Sequence, residues 1–221
     1  MAQGLERKTM EAKDTLQFIV DRYKIDLSQP NPIKVDVSRW HDIGHLLNDL
    51  KFEKGVEIGV YKGVFTQTLA RRAPNMKLYA VDAWTTYEGY KDYPPGDLES
   101  VGYPQAVERA SRYPNVELVK GWSKDVAPTF ADASLDFMFL DANHTYPCVK
   151  EDLELWVKKI KPGGIVMGHD YFSTKGRSKL EFLDFGVIEA VNEWVTDHKV
   201  KNLFTTSDGF ASWWFIAGDT E

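Results

Sequence analysis

The sequence predicts an α/β domain built on a mostly parallel sheet with helices on both faces. Five short apolar runs have the composition of strands, and segments with helical spacing of apolar residues alternate with them. The predicted strands are residues 56–60, 78–82, 116–120, 135–141 and 165–169. Most of these runs are continuous rather than alternating, which indicates strands that are buried on both faces. At 221 residues the chain is long enough for one such domain.

Two helices are predicted before the sheet. Residues 10–25 carry apolar residues at helical spacing. Ser38 is in position to cap a second helix, whose apolar stripe runs from Trp40 to Leu50. We therefore expect residues 1–50 to form a helical flank or lid and residues 51–221 to form the main domain.

The second half of the chain continues the alternation of elements. The predicted elements are helices over 66–72, 147–160 and 187–195, and strands over 203–206 and 212–217. Lys161-Pro-Gly-Gly164 is expected to end the second of these helices as a turn. The turn residues Ser207 to Gly209 predict a C-terminal antiparallel β-hairpin.

The passage from Val56 to Asp82 predicts a pocket for a cofactor that carries adenosine. Gly59 and Gly63 bracket a tight turn after the first strand, where the backbone can approach a ligand closely. Free amides at the start of the next helix would face that ligand. Asp82 closes the second strand and can accept hydrogen bonds from both hydroxyls of a ribose.

The glycine spacing distinguishes two classes of cofactor. A dinucleotide site requires Gly-x-Gly-x-x-Gly, because a pyrophosphate needs amides crowded at the helix start. Here the pattern is Glu57-x-Gly59-x-x-x-Gly63. An acid beside the turn suits a cofactor with an ammonium and a sulfonium better than one with two phosphates. The pattern favours S-adenosylmethionine, and a glycine turn that merely joins strand to helix in another α/β protein is the alternative.

The charge and cysteine content bear on partners and compartment. The net charge of −6 disfavours nucleic acid and anionic membranes and favours a small-molecule partner. Cys148 is the only cysteine, so no disulfide framework is possible. We find no leader or long apolar span, and we expect a cytoplasmic protein. The N-terminal helices are able to pair subunits in a homo-oligomer.

Three segments together resemble the class I S-adenosylmethionine-dependent methyltransferases. They are Glu57 to Asp82, Leu135 to Tyr146, and Lys161-Pro-Gly-Gly-Ile-Val-Met-Gly-His-Asp-Tyr171. The resemblance is strongest to the small-molecule branch with macrolide and other sugar O-methyltransferases, and it runs from Val56 to Ala217. It implies a Rossmann-like, seven-stranded sheet whose last strand is antiparallel.

The resemblance also implies roles for individual residues. Glu57, Gly59 and Gly63 would line the methionine part of the cofactor, and Asp82 would bind the ribose. Trp122 and Ser123 would contact the adenine. The chain departs from the family here, because many relatives place an acid where this sequence reads Gly121-Trp122-Ser123.

Polar side chains follow two neighbouring strands of the predicted sheet. They are Asp141, Asn143, His144, His169 and Asp170. Side chains at the carboxyl ends of adjacent strands converge, and carboxylates suit a hard cation such as Mg²⁺. The hypothesis is that Asp141 and Asp170 bind the metal, with His144 or His169 as third ligand or general base. The family resemblance supports it, because several relatives bind a metal at these strand ends.

Alternative roles that involve no metal and no catalysis remain for the same residues. Asp141 can instead cap the following helix or bind the cofactor. His169 can be a hydrogen-bonded histidine at the end of a strand.

Two loops are candidate walls of an acceptor site. The first carries Tyr87, Tyr90, Tyr93 and Tyr103, and the second carries Lys175, Arg177 and Lys179. The predicted function is methyl transfer from S-adenosylmethionine to a hydroxyl of a small polar or sugar-containing acceptor, with a divalent metal as a possible requirement. The alternatives are an NAD-dependent oxidoreductase, which the missing third glycine disfavours, and a cofactor-binding domain without turnover.

Overall fold

The structure is a computed structural model and describes residues 11–86, 93–94, 96–174 and 185–221. In that part of the chain eight strands form one sheet. The strands are β1 (Ile33–Lys34), β2 (Lys54–Ile58), β3 (Lys77–Asp82), β4 (Val116–Lys120), β5 (Leu135–Leu140), β6 (Ile160–Gly168), β7 (Phe204–Thr205) and β8 (Trp213–Ile216). Their order is β1-β7-β8-β6-β5-β2-β3-β4, and only the two pairs that contain β8 are antiparallel.

The sheet has one strand more than the seven that the family resemblance implies. The added strand is β1, in which Ile33 pairs in parallel with Phe204 of β7. A strand of two residues just after Pro30 and Pro32 carries no periodic signal, so the sequence pattern does not reveal it. The predicted C-terminal hairpin is confirmed, because Phe204 lies opposite Trp214 of β8 in an antiparallel pair.

Helices cover both faces of the sheet, as predicted. They are α1 (Ala12–Tyr23), α2 (Gly44–Asp49), α3 (Val64–Arg72), α4 (Tyr103–Ala110), α5 (Ser123–Val126), α6 (Tyr146–Trp156) and α7 (Val187–Asp197). A π-helical turn, Arg39–Ile43, leads into α2. The Ser38 hydroxyl accepts a hydrogen bond from the Trp40 amide at 3.2 Å, which confirms the predicted cap.

Strand β5 shows why the predicted strands read as continuous apolar runs. All six of its residues are buried. Phe137 and Phe139 join the apolar cluster on one face of the sheet, together with Leu47 of α2. Met138 joins the cluster on the other face, together with Trp156 of α6. Since both faces are covered, the side chains on both faces are largely apolar. The exception, Asp136, accepts hydrogen bonds from two backbone amides and from Lys161.

The sequence Lys161-Pro-Gly-Gly164 is not the turn that the pattern predicts, because it lies inside β6. A β-carbon on Gly164 would lie 2.5 Å from Cγ2 of Ile160 and 2.7 Å from the carbonyl oxygen of Asp136. Gly163 has a φ of +84°. The pairing register with β5 also shifts in this region. The glycines therefore form an irregularity within the strand, which has the properties of a β-bulge.

The N-terminal segment packs on the sheet. The Thr15 hydroxyl of α1 donates a buried hydrogen bond to the carbonyl oxygen of Gly163 at 2.8 Å. Ile19 of α1 and Leu46 of α2 are buried in the same cluster as Phe139. In addition to the predicted helices, this segment contributes strand β1.

The strand order brings the carboxyl ends of β6, β5, β2 and β3 side by side at one edge of the sheet. Ligands of open α/β sheets bind at this edge. Among the described residues, no helix is both long enough and apolar enough to cross a membrane.

Candidate active site

A cavity of about 890 Å³ opens at the carboxyl ends of β2, β3 and β5. Its walls include Glu57 and Gly59 at the end of β2, Asp82 at the end of β3, and Asp141 just after β5. Residues that are distant in the sequence therefore meet at one site, as the alternation of strands and helices predicts.

Asp82 fixes the conformation of the glycine turn. Its Oδ2 accepts hydrogen bonds from the amides of Val60 at 2.8 Å and Tyr61 at 2.9 Å. Its Oδ1 accepts a hydrogen bond from the amide of Trp84 at 2.6 Å. Tyr61 has a φ of +50°, which is unusual for a residue with a side chain. The carboxylate thus stabilises a turn that would otherwise be strained, and it engages two of the amides at the start of that turn.

Packing explains both glycines of the turn. Gly59 has a φ of +87°, and a β-carbon there would lie 2.1 Å from the carbonyl oxygen of Asp141. Gly63 has a φ of +72°, and its β-carbon would lie 3.3 Å from Cα of Ala106 in α4. Gly59 lines the cavity, whereas the space beside Gly63 is filled by α4. These glycines are required by close approach of backbone to backbone.

Glu57 is a buried acid at the base of the cavity, with only 2% of its surface exposed. The hydroxyl of Thr66 in α3 donates a hydrogen bond to its Oε2 at 2.5 Å. Burial raises the pKa of Glu57 to about 8, although the hydrogen bond from Thr66 opposes this shift. A cation that enters the cavity would favour the ionised form of Glu57.

Two aspartates and two histidines converge beyond β5 and β6. The Nε2 atom of His144 lies 3.3 Å from Oδ1 of Asp141 and 3.0 Å from Oδ2 of Asp170. One ligand atom from each of these three residues lies within 4.8 Å of the others. Two carboxylate oxygens and one imidazole nitrogen form a donor set that suits a divalent cation.

His169 lies at the back of this cluster. Its Nδ1 is 2.9 Å from Oδ1 of Asp170 and 3.5 Å from Oδ1 of Asp141, and its Nε2 is 3.1 Å from the carbonyl oxygen of Phe210. Burial lowers the pKa of His169, but hydrogen bonds to the two carboxylates outweigh it and hold the pKa above its usual value. Both ring nitrogens face acceptors, so the geometry favours a doubly protonated ring.

The contacts of Asp141 explain its charge. Burial opposes ionisation, but hydrogen bonds from His144 and His169 hold the pKa of Asp141 below its usual value. The guanidinium of Arg39 is a further neighbour of this carboxylate, with Nη1 3.7 Å from Oδ2 of Asp141. Asn143, which follows the same strand, accepts a hydrogen bond from the amide of Thr145 at 2.8 Å, just before α6.

The predicted adenine residues line the far end of the cavity. Trp122 is 39% exposed there. The Ser123 hydroxyl accepts a hydrogen bond from the indole of Trp156 at 2.7 Å and donates one to Asp152. Burial raises the pKa of Asp152 to about 7, although the hydrogen bond from Ser123 opposes this shift. Asp152 therefore supplies a buried acid at this end, where the loop after β4 lacks the family's usual one.

The profile of a family described as "Methyltransferase domain" matches residues 56–171 of this chain. This chain belongs to that methyltransferase family. The match covers β2 through β6 and extends past Asp170, so it includes the turn, Asp82 and the acidic cluster.

Solved structures share the fold of this methyltransferase domain. A protein of Staphylococcus aureus, provisionally assigned as a caffeoyl-CoA O-methyltransferase, gives a TM-score of 0.60 at 15% identity, covering 95% of this chain and 93% of that one. The O-methyltransferase TomG of Streptomyces achromogenes, which is involved in tomaymycin synthesis and was solved with S-adenosylmethionine, gives 0.54 at 19% identity. The latter match covers 97% of this chain and 93% of TomG.

One curated relative is the uncharacterized protein y4gI of Sinorhizobium fredii. It is 27% identical over 136 residues, which cover 57% of this chain and 14% of y4gI. The chain therefore spans about one seventh of the length of that relative.

Two residues at or beside the cavity were not predicted from the sequence, Arg39 and Asp152. Asp152 lies on the apolar stripe of α6 with Val149, Leu153 and Trp156, and an acid at such a position is a signal of a buried polar contact. Arg39 carries no comparable signal, because the π-helical turn breaks the periodicity that would predict its direction.

The predicted acceptor walls are only partly described. Tyr93 lines the cavity, with its ring 4.1 Å from that of Tyr61. Tyr103 packs on Trp84, with ring centroids 4.9 Å apart. The remaining candidates lie outside the described residues; they are Tyr87, Tyr90, Lys175, Arg177 and Lys179.

Proposed function

We propose that this chain transfers a methyl group from S-adenosylmethionine to a hydroxyl of a small polar or sugar-containing acceptor. The identification of the donor rests on one observation. The carboxylate of Asp82 accepts hydrogen bonds from the amides of Val60 and Tyr61. Membership of a methyltransferase family supports the same reaction.

The occupied amides argue against a pyrophosphate. In a dinucleotide site the free amides of the glycine turn donate to phosphate oxygens. Here Oδ2 of Asp82 accepts from both amides, and the carboxylates of Asp82 and Asp141 line the same cavity. Two further negative charges would be repelled at this position, whereas an ammonium and a sulfonium would be attracted. An NAD-dependent oxidoreductase is therefore disfavoured.

We propose roles for the residues at each part of the donor. Glu57 and Gly59 would lie along the methionine part, with Gly63 setting the shape of the turn behind it. The second oxygen of Asp82 would accept from the ribose, and Trp122 would lie on the adenine, with Ser123 and Asp152 at its edge. The order of these side chains along the cavity, from β5 to β4, supports this orientation.

We propose that Asp141, His144 and Asp170 hold a divalent cation. The donor set fits, because one ligand atom from each residue lies within 4.8 Å of the others. When bound, such a cation would orient the acceptor hydroxyl and lower its pKa. Because Nε2 of His144 is the atom that faces both carboxylates, His144 is the third ligand in this proposal.

His169 is then a positioning residue rather than the general base. Its Nδ1 faces Asp170 and its Nε2 faces the carbonyl oxygen of Phe210, so both nitrogens face groups of the protein and neither is directed at the methyl-accepting substrate. A positive ring at this place would hold the carboxylate of Asp170 in the orientation that the cation requires. Asp170 itself has a φ of +57°, a conformation that such contacts stabilise.

We further propose that residues 51–221 form the catalytic domain and that residues 1–50 flank it. The net charge of −6 supports a small-molecule acceptor rather than a nucleic acid.

A methyl-transfer screen tests the proposed function. The purified chain is incubated with S-adenosylmethionine labelled in its methyl group, Mg²⁺ and a library of sugars, glycosides and phenols, and label is followed into the products. We expect label on an oxygen of at least one acceptor, and loss of that transfer in Asp170→Asn. Label on nitrogen or carbon would contradict hydroxyl methylation, and equal rates after EDTA and gel filtration would contradict the metal.

A further inference from the structure

The guanidinium of Arg39 is nearly buried, and two of its nitrogen atoms have no hydrogen-bond partner in the part of the chain that the structure describes. The side chain is 13% exposed, and the two enclosed atoms are Nε and Nη1. The nearest carboxylate oxygen, Oδ2 of Asp141, is 3.7 Å from Nη1. Burying a guanidinium whose N–H donors have no acceptor is unfavourable for folding, by roughly several kcal/mol. Such an arrangement therefore requires an explanation.

The backbone at Arg39 is fixed from two sides. The amide of Arg39 donates to Oδ2 of Asp208 at 2.8 Å, and the amide of Ser38 donates to Oδ2 of Asp42 at 2.8 Å. The residue begins a π-helical turn, a rare conformation that is frequent at functional sites. The chain therefore holds this arginine in a defined place, although Nε and Nη1 form no hydrogen bond with the described residues.

The side chain packs against two aromatic residues that line the cavity. The guanidinium stacks 4.6 Å from the ring centroid of Trp40 and 5.7 Å from that of Phe65. Trp40 and Phe65 both line the cavity, together with Glu57 and Asp141. Burial raises the pKa of Glu57, and the positive charge of Arg39 opposes this shift.

An acid and a base this close together match the head group of an α-amino acid. The ammonium and the carboxylate of such a ligand are attached to one carbon atom, so their partners must also be neighbours. Asp141 and Arg39 are 3.7 Å apart, and Glu57 adds a second acid at the same end. A planar guanidinium is suited to bind a carboxylate through two parallel hydrogen bonds.

We propose that Arg39 binds the α-carboxylate of the methionine part of the donor while Glu57 and Asp141 face its ammonium. This inference rests on the proposed function, because it takes S-adenosylmethionine as the donor. Since Nε and Nη1 are enclosed in the present conformation, the guanidinium turns toward the cavity about its own side-chain bonds when the carboxylate enters. The aromatic rings of Trp40 and Phe65 keep it stacked during this rotation.

The test compares two ligands that differ only in the carboxylate. They are S-adenosylhomocysteine and its decarboxylated analogue, S-adenosyl-3-thiopropylamine, each titrated calorimetrically into the full chain. We expect the wild-type protein to bind S-adenosylhomocysteine more tightly by about 10- to 100-fold, the range for a charge-assisted pair. Arg39→Met should reduce this preference to less than about threefold by weakening S-adenosylhomocysteine alone. Arg39→Lys should retain part of the preference.

Arg72→Met is the matched control. Arg72 also has an enclosed Nε without a hydrogen bond, but it lies in the last turn of α3, at the end away from the cavity. This variant should keep the full preference for S-adenosylhomocysteine. Because each variant is measured with both ligands, a general loss of folding affects the two affinities equally.

Other outcomes separate this inference from the function on which it rests. If Arg39→Met lowers the affinity for both ligands equally, or for neither, Arg39 does not bind the carboxylate. The inference is then wrong, whereas the proposed binding of the donor is unaffected. If the wild-type protein binds neither ligand, the proposed function and this inference are both wrong.

Discussion

The side chain of Asp82 shows how one acid can have both a structural and a functional role. Its two oxygens accept three backbone hydrogen bonds, two from the turn and one from the amide of Trp84. A carboxylate can accept about four hydrogen bonds, which leaves capacity for a ligand hydroxyl. The sequence position of Asp82 predicts contact with a ribose, whereas its role in holding the turn is visible only in the structure.

Replacing Asp82 by Asn tests the structural role. An Asn side chain has one oxygen, so its NH₂ group would face either the turn amides or the amide of Trp84. We expect a loss of about 1.5–3 kcal/mol in the free energy of unfolding, measured by chemical denaturation, and at least a tenfold loss in affinity for S-adenosylhomocysteine. Asp97→Asn is the control, because the Asp97 carboxylate accepts from the Tyr61 hydroxyl near the same turn rather than from the turn amides. An equal effect of both changes would contradict the account.

The buried acid Asp152 predicts how stability depends on pH. The pKa of Asp152 is about 7 in the folded chain, against roughly 4 in an unfolded one. The folded state therefore binds more protons than the unfolded state between these values, and stability falls as the pH rises from about 4 to 7. This group alone contributes a slope of about 1.4 kcal/mol per pH unit in that window.

Asp152→Asn should remove that part of the pH dependence. The amide oxygen can still accept from Ser123, so we expect the variant to gain stability over the wild-type protein as the pH rises, with most of the gain present at pH 8. Thermal unfolding without cofactor, at pH 5, 6, 7 and 8, measures the effect. Glu154→Gln removes an exposed acid from the same helix and should leave the pH profile unchanged. Parallel profiles for wild-type and Asp152→Asn would refute the assignment.

At the scale of elements, the docking of α1 on β6 depends on one buried hydrogen bond. The Thr15 hydroxyl donates to the carbonyl oxygen of Gly163 within the irregular part of β6. Thr15→Val keeps the shape of the side chain but leaves that carbonyl with one partner fewer. We expect a loss of about 1–3 kcal/mol in the free energy of unfolding.

A threonine whose hydrogen bond is exposed to solvent provides the comparison for that measurement. The Thr68 hydroxyl donates to the carbonyl oxygen of Val64 within α3, at the surface. Thr68→Val should change stability by less than about 0.5 kcal/mol, as is usual for surface substitutions. If Thr15→Val is equally mild, α1 does not depend on this contact.

The elements also show which parts of the fold a sequence pattern can predict. Continuous apolar runs such as 137–140 identify buried parallel strands, because covering both faces of a sheet imposes that composition. The strand at 33–34 is too short for any periodicity. The Pro-Gly-Gly sequence at 162–164 has turn composition, yet contact with Ile160 and Asp136 keeps it inside β6. Tertiary contacts decide whether such a segment becomes a strand or a turn, and the local sequence does not show those contacts.

The candidate site shows the same division. Residues that terminate strands, such as Asp141 and Asp170, are predictable because the sheet itself brings their backbones together. The roles of the other site residues depend on the orientations of their side chains. His169 turns both ring nitrogens toward the protein, and Arg39 approaches Asp141 from a π-helical turn outside the matched family region. The sequence alone leaves those orientations open.

At the scale of the whole molecule, the account depends on the sign of the charge that the cavity accepts. Glu57, Asp82 and Asp141 surround a turn whose first amides are already bound, so the cavity favours a cationic donor over a phosphorylated one. Titration calorimetry with S-adenosylmethionine and with NAD⁺, on the same preparation and at the same salt concentration, tests this claim most directly. We predict saturable heat with S-adenosylmethionine and none with NAD⁺, and saturable binding of NAD⁺ without binding of S-adenosylmethionine would contradict the account.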